Sequence, residues 1–265
     1  MRDLTRLYGG LLPVYWRMAV ARRARVWLNL VSLTFPLLLM WVWLQVTRQR
    51  GGTVAGLDAT YFITYYFAAA VVSQVTTVSV TGAWDQSIRL GNLSAQLLRP
   101  RDPGHYLYCS ELCRRGLAGL FGLPLLAVVV FLTADDGRRT VTLLMAPVSI
   151  LIGFTLSFLM ASAVGMLAFW MTQVHRVAQL WVGAGYILAG AVAPLRMMPD
   201  WVRTAASVLP FEATFGTPVE ILAGHATVSE GLAGMATGVV WSVIAFMVYR
   251  LLWFRGLRRY SSDGA

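Results

Sequence analysis

Six apolar stretches separated by arginine-bearing loops run through this chain of 265 residues, and no other feature constrains its folding more. They cover residues 26–46, 59–80, 117–133, 141–171, 178–192 and 232–253. Hydrocarbon offers no water to bond backbone N–H and C=O groups, so runs of this kind fold as helices that satisfy those groups internally. At 1.5 Å per residue the first is long enough for about 30 Å of hydrocarbon. The fourth is longer than a straight crossing needs and carries Pro147 near its start, an excess that tilt absorbs. The fifth is short and ends near Pro194. The expected fold is all-α, a polytopic membrane protein with six transmembrane helices.

Charge distribution orients these spans. All 22 basic residues are arginine, and lysine is absent. Sixteen arginines fall before the first span, in the second-to-third and fourth-to-fifth loops, and from Arg250 onward, while the alternate loops hold six. By the positive-inside rule both termini are cytoplasmic. Trp27, Trp41, Trp43, Trp170, Trp201 and Trp253 lie near span ends, as an interfacial aromatic belt requires. The first run follows Arg22, Arg23 and Arg25 without a small-residue cleavage site and reads as a span, not a removable signal. The net charge of +10 does not point to nucleic acid, because the arginines cluster beside apolar spans, where they meet anionic lipid headgroups. Arginine-only, alanine-rich usage points to a GC-rich bacterial genome.

Three segments are neither span nor ordinary loop. Residues 1–25 include a stretch with Val14, Met18 and Ala21 on one helical side among arginines, which suits a helix in the inner interface. Residues 82–115 form the longest cytoplasmic loop. In it Trp84, Ile88, Leu93, Leu97 and Leu98 form an apolar side, Asp85, Gln86 and Arg89 a wet one, Gly91 interrupts and Pro100 terminates. That apolar side either docks a partner or lies on the lipid surface. Residues 194–230 hold four prolines with Trp201 and Phe211, and Glu212 and Glu220 stand among apolar neighbours. The pattern fits short helices that dip into the outer leaflet and return, where carboxylates are costly and functional. Above the headgroups the same residues are solvated acids.

The strings Ile88-Arg89-Leu90-Gly91-Asn92-Leu93, Leu97-Leu98-Arg99-Pro100 and Tyr106, with Pro194, Met198-Pro199-Asp200-Trp201, Leu209-Pro210-Phe211 and Pro218, resemble the small permeases of the ABC-2 family of transporter proteins. The resemblance covers nearly the whole chain and implies a single transmembrane permease domain, 1–265, of an ATP-driven exporter in the bacterial inner membrane. It implies a second permease, identical or homologous, beside this one, and separate ABC ATPase subunits that hold ATP and Mg, with no cofactor in this chain. Trp84, Ile88, Arg89, Gly91 and Leu93 would couple to the ATPase, and Phe211, Glu212 and Glu220 would shape an outer gate. The family's route follows the second and fifth spans, here offering Tyr66, Ser73 and Thr77 on one helix and Gln179 and Tyr186 on the other. Hydroxyls without fixed charge suit an amphiphilic or lipid-like substrate. The alternative is that these hydroxyls bond their own helix backbone.

The absence of lysine removes the phosphate-gripping residue of a P-loop, so ATP must be bound by another chain. An intramembrane enzyme acting on lipid would need paired aspartates, a serine with histidine, or a zinc cluster at membrane depth. His105, Cys109 and Cys113, at i, i+4 and i+8, share a helical face but lack a fourth ligand, and read as a cytosolic helix with free thiols. A non-transporting membrane assembly protein is the remaining alternative; the polar face of the second span and the elaborate outer segment stand against it. Small-residue pairs such as Gly183-Gly190 and Gly234-Gly238 would let helices approach closely.

Overall fold

The computed structural model describes residues 2–21, 31–132 and 139–260. The first turns of the 26–46 stretch, the end of the 117–133 stretch and the outer Asp135–Asp136 pair therefore lie outside the described residues. Helix α1 (Arg2–Ala21) precedes α2 (Thr34–Gln49), which is led in by a 3-10 turn at Val31–Leu33. A two-stranded hairpin, β1 (Thr53–Val54) and β2 (Leu57–Asp58), turns the chain back through Ala55 and Gly56, both at positive φ. The Asp58 carboxylate then caps α3 (Ala59–Thr76) by accepting the Tyr61 N–H at 2.9 Å.

Regular hydrogen bonding lapses over 77–80 before α4 (Thr81–Arg89) and α5 (Asn92–Leu97). Next come α6 (Pro103–Leu120) and α7 (Leu123–Leu132), bent by 56°. Pro124 has no N–H to continue the ladder, and Gly122 admits Val71, to which an added Cβ would come within 3.2 Å. The remaining helices are α8 (Arg139–Met166), α9 (Val174–Leu188), α10 (Asp200–Val208), a π-helical turn at Glu212–Gly216, α11 (Thr217–Ala223) and α12 (Val228–Arg259). A capping box between Thr227 and Glu230 starts α12.

Among the described residues three helical runs are long and apolar enough to cross a membrane: Ala59–Arg89, Leu144–Phe169 and Val228–Leu257. Counting the bent pair of α6 and α7 as one crossing makes four. Helix α9, at 15 residues, spans roughly 22 Å, short of a full hydrocarbon core.

Helix α12 packs along α8, and glycine makes that approach possible. A Cβ on Gly238 would sit 2.7 Å from Ile152, and one on Gly234 would sit 2.5 Å from Thr217. The Gly234-Gly238 pair is therefore consumed by contacts within this chain. Gly183, by contrast, faces open space on α9, where Leu180, Val182 and Ile187 are also exposed.

Two large clusters hold the ends together. Tyr61, Phe62, Tyr65 and Tyr66 of α3 pack with Val219, Ile221 and Leu222 of α11. Far along the chain, Trp84, Ile88 and Leu93 of α4 and α5 pack with Phe158 and Met166 of α8 and with Tyr249 and Trp253 of α12.

Candidate functional sites

The α4–α5 unit is built around Trp84. Its exposure is 1%, and its Cβ and indole fill the space left by Gly165, where an added Cβ would come within 2.9 Å. The indole meets the rings of Tyr249 and Trp253 at 6.2 and 5.6 Å between centroids. Ile88 and Leu93 are buried in the same cluster. The expectation that Trp84, Ile88 and Leu93 form an outward docking face is therefore corrected: they anchor the unit to its own chain. Amphipathic spacing shows that a face is covered but not by what, and here α8 and α12 cover it. The apolar side chains left outward are Leu90, Leu97 and Leu98, the last 88% exposed.

Arg89 is also engaged. It pairs with Asp85 at 3.7 Å, and its guanidinium donates to the Thr172 carbonyl, tying α4 to the loop before α9. Gly91 adopts φ 72°, a left-handed conformation that lets α5 turn back on α4. Gln96 then donates to Ser87 at 3.1 Å across that turn.

A second tie was not foreseen. Asp102 caps α6 through the Gly104 N–H at 2.8 Å, and it also accepts from Arg250 at 2.6 Å and from the Tyr249 hydroxyl at 3.3 Å. Asp-Pro at the start of a helix supplies a local cap. The partner Arg250 lies 148 residues away.

The expected polar route dissolves into separate environments. Tyr66 is buried, and its hydroxyl donates to the Val192 carbonyl at 2.9 Å. The Ser73 hydroxyl bonds the Ala70 carbonyl of its own helix at 2.9 Å, and Thr77 lies beyond the end of α3. On α9, Gln179 bonds His175 at 2.9 Å, and half-exposed Tyr186 sits edge-on to Phe35 at 6.0 Å. These five do not form one open face among the described residues. Spacing of seven and four aligns Cα positions only, and the Tyr66 and Ser73 hydroxyls each bond a backbone carbonyl.

The segment before α12 is more concentrated than sequence spacing showed. Glu220 on α11 accepts the Tyr61 hydroxyl at 2.7 Å and pairs with Arg196 at 3.4 Å. Arg196 also donates to the His225 carbonyl at 2.8 Å and approaches Glu230 at 3.9 Å. The His225 ring stacks on Tyr61 at 4.2 Å, and its Nε2 lies 2.7 Å from the Thr64 hydroxyl. Burial pushes the Glu220 carboxyl above its ordinary range, opposed by Arg196 and by the Tyr61 hydrogen bond. Glu220 is thus a held carboxylate, not a surface acid. Sequence reading missed Tyr61, Thr64, Arg196 and His225 as its companions.

Phe211 and Glu212 belong to a neighbouring feature. Phe211 is buried against Trp181 of α9, 4.9 Å between ring centroids. Glu212 opens the π-helical turn, partly buried. That turn passes so close to α9 that a Cβ on Gly216 would lie 2.8 Å from the Ala189 carbonyl.

Cys109 and Cys113 are free and buried. Helix α1 lies over α6, with the Cys113 thiol 3.5 Å from the Leu12 carbonyl, while His105 meets the Tyr8 hydroxyl at 2.9 Å. Among the described residues there is no metal-binding group of His, Cys, Asp and Glu.

Long apolar helices joined by tightly tied polar turns, with a small helical unit wedged between two of them, define an integral membrane protein. The family model described as ABC-2 family transporter protein matches residues 32–264, and the chain belongs to that family. It is the membrane permease of an ABC transporter, a transport component that works with an ABC ATPase. No curated protein matches the chain.

Proposed function

We propose that this permease crosses the bacterial inner membrane six times with both termini cytoplasmic and exports an amphiphilic or lipid-like substrate. In this reading α2 and α9 are crossings completed by residues outside the described helices, and α10 to α11 form the re-entrant outer segment. ATP and Mg reside on the partner ATPase, and a second permease, identical or homologous, completes the path. The exposed apolar sides of α2 and α9, with Phe35, Leu38, Leu180 and Ile187, supply surface for that second permease or for lipid.

The observation that carries the coupling reading is the α4–α5 unit: one side is wedged into α8 and α12, and the other presents Leu90, Leu97 and Leu98. A partner gripping those leucines would move α8 and α12 with it, because Trp84, Ile88 and Leu93 leave no slack. Replacing Leu97 and Leu98 together by aspartate places charge in the contact, and we expect the ATPase to stop co-purifying while the permease remains in the membrane. A full complement of bound ATPase and normal transport in that variant would overturn the assignment.

A further inference from the structure

A buried cation near the start of the third crossing shares its carboxylate partner with a second arginine. Arg115 and Glu111, one turn apart on α6, are each only 8% exposed. Arg114 takes the carboxylate, its Nη2 lying 2.7 and 2.5 Å from the two oxygens. Arg115 Nε is left 3.7 Å from Glu111, beyond hydrogen-bond distance, and it is buried with no hydrogen-bond partner. Two guanidinium groups therefore share one carboxylate, leaving one positive charge in excess at a side chain that keeps only 10% exposure. A desolvated, half-compensated arginine is costly, and such groups mark ligand sites in membrane helices. In sequence Arg115 closes the arginine-rich 82–115 loop immediately before the 117–133 apolar run, the depth of lipid headgroups.

From this geometry we infer that Arg115 binds the anionic headgroup, a phosphate or carboxylate, of an amphiphile. The guanidinium fork matches either group in two parallel hydrogen bonds, and Glu111 limits the affinity by supplying competing negative charge. The amphiphile is either a resident lipid or the transported substrate.

The test uses the purified full chain in neutral detergent, titrated with phosphatidylglycerol or with phosphatidylcholine of equal chain length and followed by native mass spectrometry. The wild type should prefer phosphatidylglycerol by about tenfold or more, Arg115→Gln should lose the preference, and Arg115→Lys should keep part of it. Glu111→Gln should strengthen phosphatidylglycerol binding, an effect opposite to that of merely loosening a structural ion pair, and it decides the matter should Arg115→Gln fail to fold. No preference in the wild type, an undiminished preference in Arg115→Gln, or weaker binding in Glu111→Gln overturns the inference. In vesicles with the cognate ATPase, Arg115-dependent movement of labelled phosphatidylglycerol between leaflets identifies substrate. Arg115-dependent binding without movement identifies resident lipid. Both support the site, and neither depends on the leucine contact tested above.

Discussion

The Glu220 end and the Trp84 end of this permease are held by different forces. Around Glu220 the contacts are polar and directional: one carboxylate, one arginine, a tyrosine hydroxyl and a histidine join α3, α11 and the turn before α10. Around Trp84 they are aromatic and aliphatic, with the Asp102–Arg250 pair at the edge. Hydrogen bonds weaken steeply with distance and angle, so the first end depends on close alignment of its polar groups. Apolar burial is non-directional, and close packing rewards matched shape, so the second end depends on how well its side chains fill the space between α4, α8 and α12.

Removing the wedge is the severest test of that contrast. Trp84→Ala should cost about 3–5 kcal/mol by emptying a packed site that three helices share. The readout is thermal unfolding of the purified protein, and a loss below about 1 kcal/mol would show that the α4–α5 unit is not rigidly seated.

The polar end should be more selective in its response. Glu220→Gln keeps the shape but removes the charge facing Arg196, at about 1–3 kcal/mol. Tyr61→Phe should cost less, and the double variant should cost less than the sum, because the two residues share one hydrogen bond, which Glu220→Gln weakens and Tyr61→Phe removes. Additive losses would mean the two residues act independently. Transport should fall in both single variants while ATPase binding stays intact, since the site lies far from Leu97 and Leu98. Equal loss of ATPase binding would erase the distinction between the ends.

Asp102→Asn retains a cap for α6 but weakens the link to Arg250, a partly exposed pair, so about 1 kcal/mol or less is expected. Coupling should suffer more than stability, read as ATP turnover that no longer tracks transport.

The smallest effect concerns the thiols. In inside-out vesicles a membrane-impermeant thiol reagent should label Cys109 and Cys113 slowly in the intact chain and quickly once residues 2–21 are removed, because α1 covers them. Fast labelling of the truncated protein from the opposite side would reverse the proposed orientation.

Much of the fold was legible because its cause is local. The bilayer forces every apolar run into a helix, so α3, α8 and α12 follow from composition alone. Gly91 likewise marked the break between α4 and α5. What stayed hidden were choices among partners. Periodicity put Trp84, Ile88 and Leu93 on one covered face, yet α8 and α12 compete with any outside protein for that face, and only their folded proximity decides. The Ser73 hydroxyl follows the local alternative of bonding its own helix, but the carbonyl that Tyr66 satisfies depends on where Val192 lies. Glu220 was singled out as a carboxylate among apolar residues. Its meeting with Tyr61 and Arg196, across 159 and 24 positions of chain, was decided by tertiary packing, because a buried charge takes the nearest compensating group in space, whatever its distance along the sequence.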